Sequence, residues 1–363
     1  MATSQLTSST LPVSPSSART SFVPAIFSAL LALSIATYFW LDSRYPALFK
    51  KLNAGKAIHI SGSLSFDALL PVTPQMPLAT RIAYTAVDWA WTNRIGMTFG
   101  VFFGAAVLTL LAYIPRRRFA SAYANTALGA ALGTPLGVCA NCVAPIGRSL
   151  YQGGASPATM LAAMVSSPML NVVVLAMAFT LLPLPIALLR LAAPLVLLAM
   201  VPLLVRSADG AGNIQSELVC PIEIRPSAAP AVVTRSYAAN LARLALATVP
   251  WMLLAGFLGA LVVELIPAQS IPAQVSVLGI LAVALLGTFA PMPIAFDVAF
   301  AWILLSRGVP VPYVAVLACT LGAFSVYPFI LIGRSLSWRI ALRVFAAVAA
   351  VGALAGAAAT FLA

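Results

Sequence analysis

Charged side chains are scarce in this sequence. Only 8% of the 363 residues are charged, and eight of them are acidic, whereas 62% are apolar. Soluble domains carry about a quarter charged residues, so a water-soluble fold would leave too much apolar surface exposed. Because a bilayer offers no hydrogen bonds to loose backbone groups, the long apolar runs are predicted to be membrane helices.

Metal-ligating residues are also few. The chain has one histidine, His59, and four cysteines: Cys139, Cys142, Cys220 and Cys319. Such a small number excludes a disulfide framework and a four-ligand structural zinc site, so the cysteines are expected to be thiols. A Walker A motif is absent, which excludes direct ATP hydrolysis by this sequence. We therefore expect no resident cofactor and no enzymatic activity.

The net charge of +12 comes from basic residues that flank the apolar runs. A basic patch interleaved with aromatic residues is missing, so no nucleic-acid partner is expected. Basic residues beside membrane helices favour the cytoplasmic side. Three groups are therefore predicted to be cytoplasmic: Arg116, Arg117 and Arg118; Arg206, Arg225, Arg235 and Arg243; and Arg334, Arg339 and Arg343.

Hydropathy predicts an all-α, polytopic protein of the inner membrane with eight to eleven spans. Eight runs have spanning length: 22–41, 95–114, 156–182, 185–205, 243–266, 271–290, 311–332 and 340–362. Three further runs, 119–135, 136–150 and 291–306, are short or broken by Pro and Gly, which is typical of tilted spans, half-helices or re-entrant segments.

Composition divides the chain into six predicted regions. They are a disordered tail (1–21), N-terminal spans with an external loop (22–118), a first repeat (119–205), a cytoplasmic linker (206–238), a second repeat (239–335) and a C-terminal span (336–363).

The two predicted repeats match at a shift of 154 residues. Gly133-Thr134 corresponds to Gly287-Thr288, and Gly154 corresponds to Gly308. If every broken segment crosses the membrane, Gly154 lies two crossings and Gly308 three crossings after the preceding basic group. The two glycines then fall on opposite sides of the membrane, so we expect inverted repeats. Secondary transporters use this arrangement, with paired broken helices near the midplane. Chance similarity between apolar segments is the competing interpretation.

A Cys139-Ala140-Asn141-Cys142 element lies in the first repeat, flanked by Pro135, Gly137 and Pro145. Two thiols three residues apart can ligate one soft ion or metalloid, so both are predicted metal or metalloid ligands. Simple burial of two small residues is one alternative. Thiol-disulfide exchange is another, although Pro293 and Phe296 stand at the equivalent positions of the second repeat.

Two other features of the repeats suggest a site. Asp297 lies in an apolar segment, where an ionisable group is costly unless it faces a cavity or a partner, so it is a candidate for proton coupling. Hydration of Asp297 at the membrane interface is the alternative. The segment Ser166 to Asn171 and its counterpart Thr320 to Ser325 are expected to interrupt helices at the same turn. Met292 is a candidate soft contact from the second repeat.

The segment CANCVAPIGRSLYQGGASPATMLAAMVSSPMLN resembles the hallmark of a predicted permease family that includes trivalent organoarsenical efflux permeases. The resemblance covers about 120–335. It implies a multi-spanning permease with two related halves, in which Cys139 and Cys142 are offered to a soft substrate. By the same resemblance Pro145, Ser167, Pro168 and Asn171 shape the broken-helix centre.

These observations predict a permease that exports a soft metalloid or another thiol-reactive compound. The predicted substrate-binding residues are Cys139, Asn141, Cys142, Pro145, Ser167, Pro168, Asn171 and Met292. The bilayer and a small substrate are the expected partners, and the sequence also permits a homo-oligomer. A membrane thiol oxidoreductase and a non-transporting assembly factor are the alternative functions.

Overall fold

The computed structural model describes residues 22–54, 68–114, 118–209, 229–265 and 274–361. Several sequence-based predictions lie outside these residues: the disordered tail, much of the external loop with His59, the basic residues Arg116, Arg117 and Arg225, and Cys220. Within the described residues the fold is entirely helical.

Fourteen α-helices account for most of the described chain. They are α1 Val23–Phe39, α2 Tyr45–Ala54, α3 Leu78–Leu111, α4 Ala122–Gly133, α5 Ala140–Gln152, α6 Pro157–Met169, α7 Val172–Leu181, α8 Leu184–Asp209, α9 Pro230–Leu265, α10 Val277–Phe289, α11 Phe296–Ser306, α12 Val311–Thr320, α13 Val326–Ser335 and α14 Trp338–Ala359. A π-helical segment, Trp40–Arg44, joins α1 to α2, and a 3₁₀ turn, Thr134–Leu136, follows α4.

Five of the described helical stretches are long and apolar enough to cross a membrane. They are Val23–Phe49, Leu78–Leu111, Leu184–Arg206, Pro230–Leu265 and Trp338–Ala359, and the bent pair α6 and α7 gives a sixth. This pattern indicates a multi-pass membrane protein. Length alone therefore yields fewer spans than the eight to eleven expected, because the helices of the two predicted repeats are shorter than a bilayer requires.

Helices extend into the regions expected to be an external loop and a linker. Helix α3 begins at Leu78, and its first half is only partly buried. Helix α8 continues to Asp209, and α9 begins at Pro230. The bounds of the six regions stay predictions.

The long helices α3 and α9 run antiparallel. Near the start of α3, Arg81 forms an ion pair with Glu264 at the end of α9. Near the other end of α3, the Asn240 amide donates to the Thr109 hydroxyl across 3.0 Å. The two ends of the bundle are named here by residues that lie there: the Arg81 end and the Arg118 end.

Helices α4 and α5 form a hairpin that stops inside the bundle, called hairpin 1. Helix α4 runs parallel to α6, because Asn125 meets Thr159 and Gly133 meets Ser166 further along both helices. Helix α5 runs parallel to α3 and returns to the Arg118 end, where Arg118 donates to the Gly154 carbonyl. With 12 residues, α4 extends about 18 Å, which is less than the roughly 30 Å of a hydrocarbon core. The segments 119–135 and 136–150 therefore contain two helices, α4 and α5, that are each too short to cross a hydrocarbon core.

Helices α10 and α11 form a second such hairpin, hairpin 2. Helix α10 runs parallel to α12, with Gly279 against Tyr313 and Gly287 against Thr320. Helix α11 runs back, since Asp297 at its start lies beside Gly322 just after α12 ends. The tip of hairpin 2 packs on the long helices, where the Trp89 indole donates to the Pro291 carbonyl.

Each hairpin lies beside a broken helix. Helices α6 and α7 are bent by 41° at Leu170 and Asn171, and α12 and α13 are separated at Leu321–Ser325. The interruptions predicted at Ser166–Asn171 and Thr320–Ser325 are confirmed. Proline at 168 and glycine at 322 weaken the helices there, because proline removes a backbone donor and Gly322 takes the left-handed conformation (φ 73°).

The two sets of helices share one spacing. Helices α6, α7 and α8 begin at 157, 172 and 184, and α12, α13 and α14 begin at 311, 326 and 338. Gly154 and Gly308 both have positive φ, 98° and 80°. In each turn, the amide of the residue after the glycine donates to the carbonyl of the residue four positions before that glycine: Ala155 to Leu150 and Val309 to Leu304. The turns of the two sets are therefore built alike.

Candidate functional site

The tips of both hairpins and both helix breaks surround one small cavity. Its lining comes from hairpin 1, the α6–α7 break, hairpin 2 and the α12–α13 break: Cys139, Pro168, Val174, Met292, Pro293, Ile294, Ala295, Asp297 and Gly322. Four of the residues predicted from sequence thus share a cavity: Cys139, Pro168, Met292 and Asp297. They come from two parts of the chain that lie more than 100 residues apart in sequence.

The tip of hairpin 1 carries the cysteine pair at the start of α5. Cys139 is the N-cap residue, and its sulfur accepts from the Cys142 amide at 3.2 Å. Both side chains are buried, and the two sulfurs are joined in a disulfide with Cα atoms 5.1 Å apart. The expectation of free thiols is corrected here, because a three-residue spacing at a helix start brings the Cα atoms within disulfide range. Soft-ion ligation by this pair requires its reduction.

The two cysteines face different surroundings. Cys139 faces the cavity, whereas Cys142 lies under α3, where a Cβ atom built at Gly96 would be 2.9 Å from its sulfur. The Pro145 carbonyl also lies against α3, 3.3 Å from a Cβ built at Gly104. Cys142 and Pro145 are not among the residues that line this cavity, so their role in substrate binding stays a prediction.

The remaining predicted polar residues hold the breaks in place. The Ser325 hydroxyl donates to the Asn141 side-chain oxygen at 2.6 Å, which ties the second break to α5. The Ser167 hydroxyl bonds to both backbone groups of Val138 in the tip of hairpin 1. The Asn171 side-chain oxygen caps α7 through the Val173 amide. These three residues contact the hairpin tips and helix breaks without lining the cavity itself.

Asp297 is ion-paired in the interior. Its Oδ2 accepts from Arg190 Nη2 at 2.6 Å, and both side chains are almost fully buried. Burial at the cavity was expected for Asp297, and hydration at an interface is not what the structure shows. The partner was missed from sequence, although a lone arginine in the apolar run 185–205 was a usable signal.

A second arginine was also missed. Arg44 lies at the end of the π-helical segment and is 7% exposed. Its guanidinium stacks on Phe39, and Trp40 beside it donates to the Pro135 carbonyl in the tip of hairpin 1 at 2.7 Å. π-Helical segments inside α-helices frequently occur at functional sites, but the sequence carries no signal that distinguishes this one.

Within the described ranges, no three histidine, cysteine or carboxylate side chains lie close enough together to hold a metal ion. The cysteine pair therefore has no third ligand of these types beside it among those residues.

Comparison with known proteins gives no identity. No protein-family model, no curated protein and no solved structure matches this chain.

Proposed function

We propose that this protein is a secondary permease of the inner membrane, built from two inverted repeats. The observation that carries the proposal is the meeting of two hairpin tips with two broken helices around one cavity. Substrate sites of secondary transporters are formed by such discontinuous helices at the interface of two repeats. The common spacing of α6–α8 and α12–α14 supports a duplication.

Reciprocal packing supports a two-fold relation between the repeats. Helix α5 packs on α13, its counterpart α11 packs on α7, and α8 packs on α14. Each hairpin thus packs on the broken helix of the other repeat, and α8 packs on its equivalent, α14. A rotation by half a turn exchanges all three contacts.

The antiparallel pair α3 and α9 supports inversion. Hairpin 1 follows α3 from the Arg118 end, and hairpin 2 follows α9 from the Arg81 end. If both long helices span the bilayer, the hairpins enter from opposite sides. The positive-inside rule then makes the Arg118 end cytoplasmic.

Labelling of introduced cysteines tests this inversion. Ser121 and Ser276 are exposed and precede α4 and α10. In a background with all four cysteines changed to alanine, Ser276→Cys is expected to react with a membrane-impermeant maleimide applied to intact cells. Ser121→Cys is expected to react only after permeabilisation. Reaction of both residues from the same side would contradict inverted repeats.

The proposed substrate is a thiol-reactive, soft compound such as a trivalent organoarsenical. In the reduced state Cys139 presents a sulfur to the cavity, and Met292 presents a thioether from hairpin 2. Thiolate and thioether ligands favour soft centres. Export would follow from rocking of the two repeats, with Asp297 as the candidate for proton coupling.

Accumulation of trivalent organoarsenicals in expressing cells tests the substrate class. Wild-type cells are expected to accumulate less arsenic than cells without the protein, and Cys139→Ser is expected to abolish that difference because it removes the cavity-facing ligand. Cys319→Ser is the matched control, since Cys319 is a free buried cysteine on α12 outside the cavity. Equal accumulation in all strains, across organoarsenicals and other thiophilic toxins, would refute soft-substrate export.

The disulfide favours one second candidate, a membrane thiol oxidoreductase. Cys139 and Cys142 are bonded, and such a pair can exchange with a partner thiol. Alkylation trapping in cells separates the candidates. A pair that cycles between dithiol and disulfide while metalloid accumulation stays unchanged would support the oxidoreductase, whereas a pair that stays reduced would count against it.

A further inference from the structure

Arg44 is a buried cation whose charge has no described acidic partner. Its side chain is 7% exposed, its Nε makes no hydrogen bond, and no ion pair joins it to a described carboxylate. The contact it does make is the Phe39 ring, 4.7 Å from its central carbon. Burying an uncompensated charge is expensive, so the fold holds Arg44 there against a substantial desolvation cost.

A second unsatisfied donor lies beside Arg44. The Asn171 side chain is fully buried, its oxygen caps α7, and its Nδ2 makes no hydrogen bond. A Cβ atom built at Gly137 would be 3.4 Å from Asn171 Nδ2 and 3.7 Å from Arg44 Cδ. Gly137 thus lies between both groups without a side chain to separate them.

The starts of two helices lie near these groups. Helix α5 starts just after Gly137 and has 13 residues, and helix α7 starts just after Asn171 and has 10. The amino-terminal ends of helices carry partial positive charge and favour anions. Arg44 Nη2 also lies near the cysteine pair, since a Cβ built at Gly96 would be 4.0 Å from it and 2.9 Å from the Cys142 sulfur.

We propose that Arg44, Asn171 Nδ2 and the starts of α5 and α7 bind a small oxyanion, which is the charged group of the transported substrate. A guanidinium presents paired donors that match the oxygens of carboxylate, sulfate or phosphate groups. The link to the transported substrate is the part that rests on the proposed function, because Arg44 lies beside Cys142, whose disulfide partner Cys139 faces the cavity. It deepens that function to an anionic substrate with a soft, sulfur-reactive atom.

A free anion and a lipid headgroup share this oxyanion chemistry, and the binding experiment distinguishes the two sources.

Equilibrium binding of radiolabelled sulfate and phosphate, with unlabelled acetate as a competitor, tests the site on the full chain purified in detergent. At least one anion is expected to bind saturably with one site per chain. Arg44→Gln is expected to weaken that binding about tenfold or more, because a charge-assisted hydrogen-bond donor is lost. Arg94→Gln is the matched control, since Arg94 is exposed on α3 and stacks on Trp91.

Asn171→Asp provides a second variant that keeps the α7 cap. The carboxylate still accepts from the Val173 amide, but it replaces the Nδ2 donor by a negative charge, so anion binding is expected to be lost while the thermal unfolding midpoint stays close to wild type. Absence of binding for both sulfate and phosphate, or binding that is unchanged in Arg44→Gln and Asn171→Asp, would overturn the proposal. Loss of sulfate binding in nanodiscs of anionic lipid, but not of zwitterionic lipid, would also overturn it, by assigning the site to headgroups.

Failure of this inference and failure of the proposed function have different signatures. Arg44-dependent anion binding by a protein that does not change metalloid accumulation leaves the site intact and removes the metalloid permease. Metalloid export that depends on Cys139, with no anion bound at Arg44, supports the permease and rules out the anion site.

Discussion

Arg190→Met is expected to destabilise the folded protein by about 3–5 kcal/mol, the usual cost of breaking a buried ion pair from one side. Arg190 Nη2 lies 2.6 Å from Asp297 Oδ2, and both side chains are almost inaccessible. Removing the guanidinium leaves the carboxylate charge in a dry interior without its cation. Reversible unfolding in mixed micelles with increasing dodecyl sulfate would measure the loss. Asp297→Leu is expected to cost a similar amount.

The double variant separates charge pairing from packing. Arg190→Met combined with Asp297→Leu leaves no buried charge at this position, so it is expected to be more stable than either single variant. Leu188→Met on the exposed face of the same helix is the control and is expected to change stability little. If the double variant were as unstable as the sum of the two singles, the ion pair would not couple α8 to hairpin 2.

Gly100→Ala is expected to displace hairpin 1, with a cost of about 1–3 kcal/mol from overpacking and loss of export activity. A Cβ atom at Gly100 would overlap the backbone carbonyl of Cys142. That carbonyl belongs to the first turn of α5, so it moves only if the cysteine-bearing tip moves with it. The same unfolding assay and the organoarsenical accumulation assay measure the two effects.

Two nearby variants control this prediction. Gly96→Ala meets the Cys142 sulfur at 2.9 Å, a side-chain atom, and is expected to cost less. Thr98→Val faces outward on the same helix and is expected to be nearly neutral. Wild-type stability and export in Gly100→Ala would show that α5 does not pack on α3 as closely as described.

Local sequence signals predicted the interruptions of the helices. Pro168 and Gly322 act within a single helical turn, and the 154-residue shift correctly paired those turns. The hairpins were less predictable, because an apolar segment of 12 or 13 residues fits a tilted span or a half-helix equally well. The form that these segments take depends on the parallel packing of α4 on α6 and of α10 on α12. This packing joins residues that lie far apart in the sequence, so local patterns do not reveal it.

For the same reason, some residues of the site could be predicted from the sequence and others could not. Cys139, Met292 and Asp297 stood out because their side chains are unusual in apolar segments, and they do line one cavity. Arg190 also stood in an apolar run, but its pairing across 107 residues depends on how α8 meets α11. Arg44 precedes a polar stretch and resembles an ordinary interfacial arginine until its burial is known.

The packing of each hairpin on the broken helix of the other set of helices has a consequence for leakage. Helix α5 packs on α13 and α11 packs on α7, and the Asn141 to Ser325 bond fastens the first of these contacts. In the proposed permease, a hairpin that swings outward on one side of the membrane would pull on the broken helix that the other repeat uses to close its own side. The two proposed passages would then be mechanically opposed, and an open channel through both would require these contacts to separate at once.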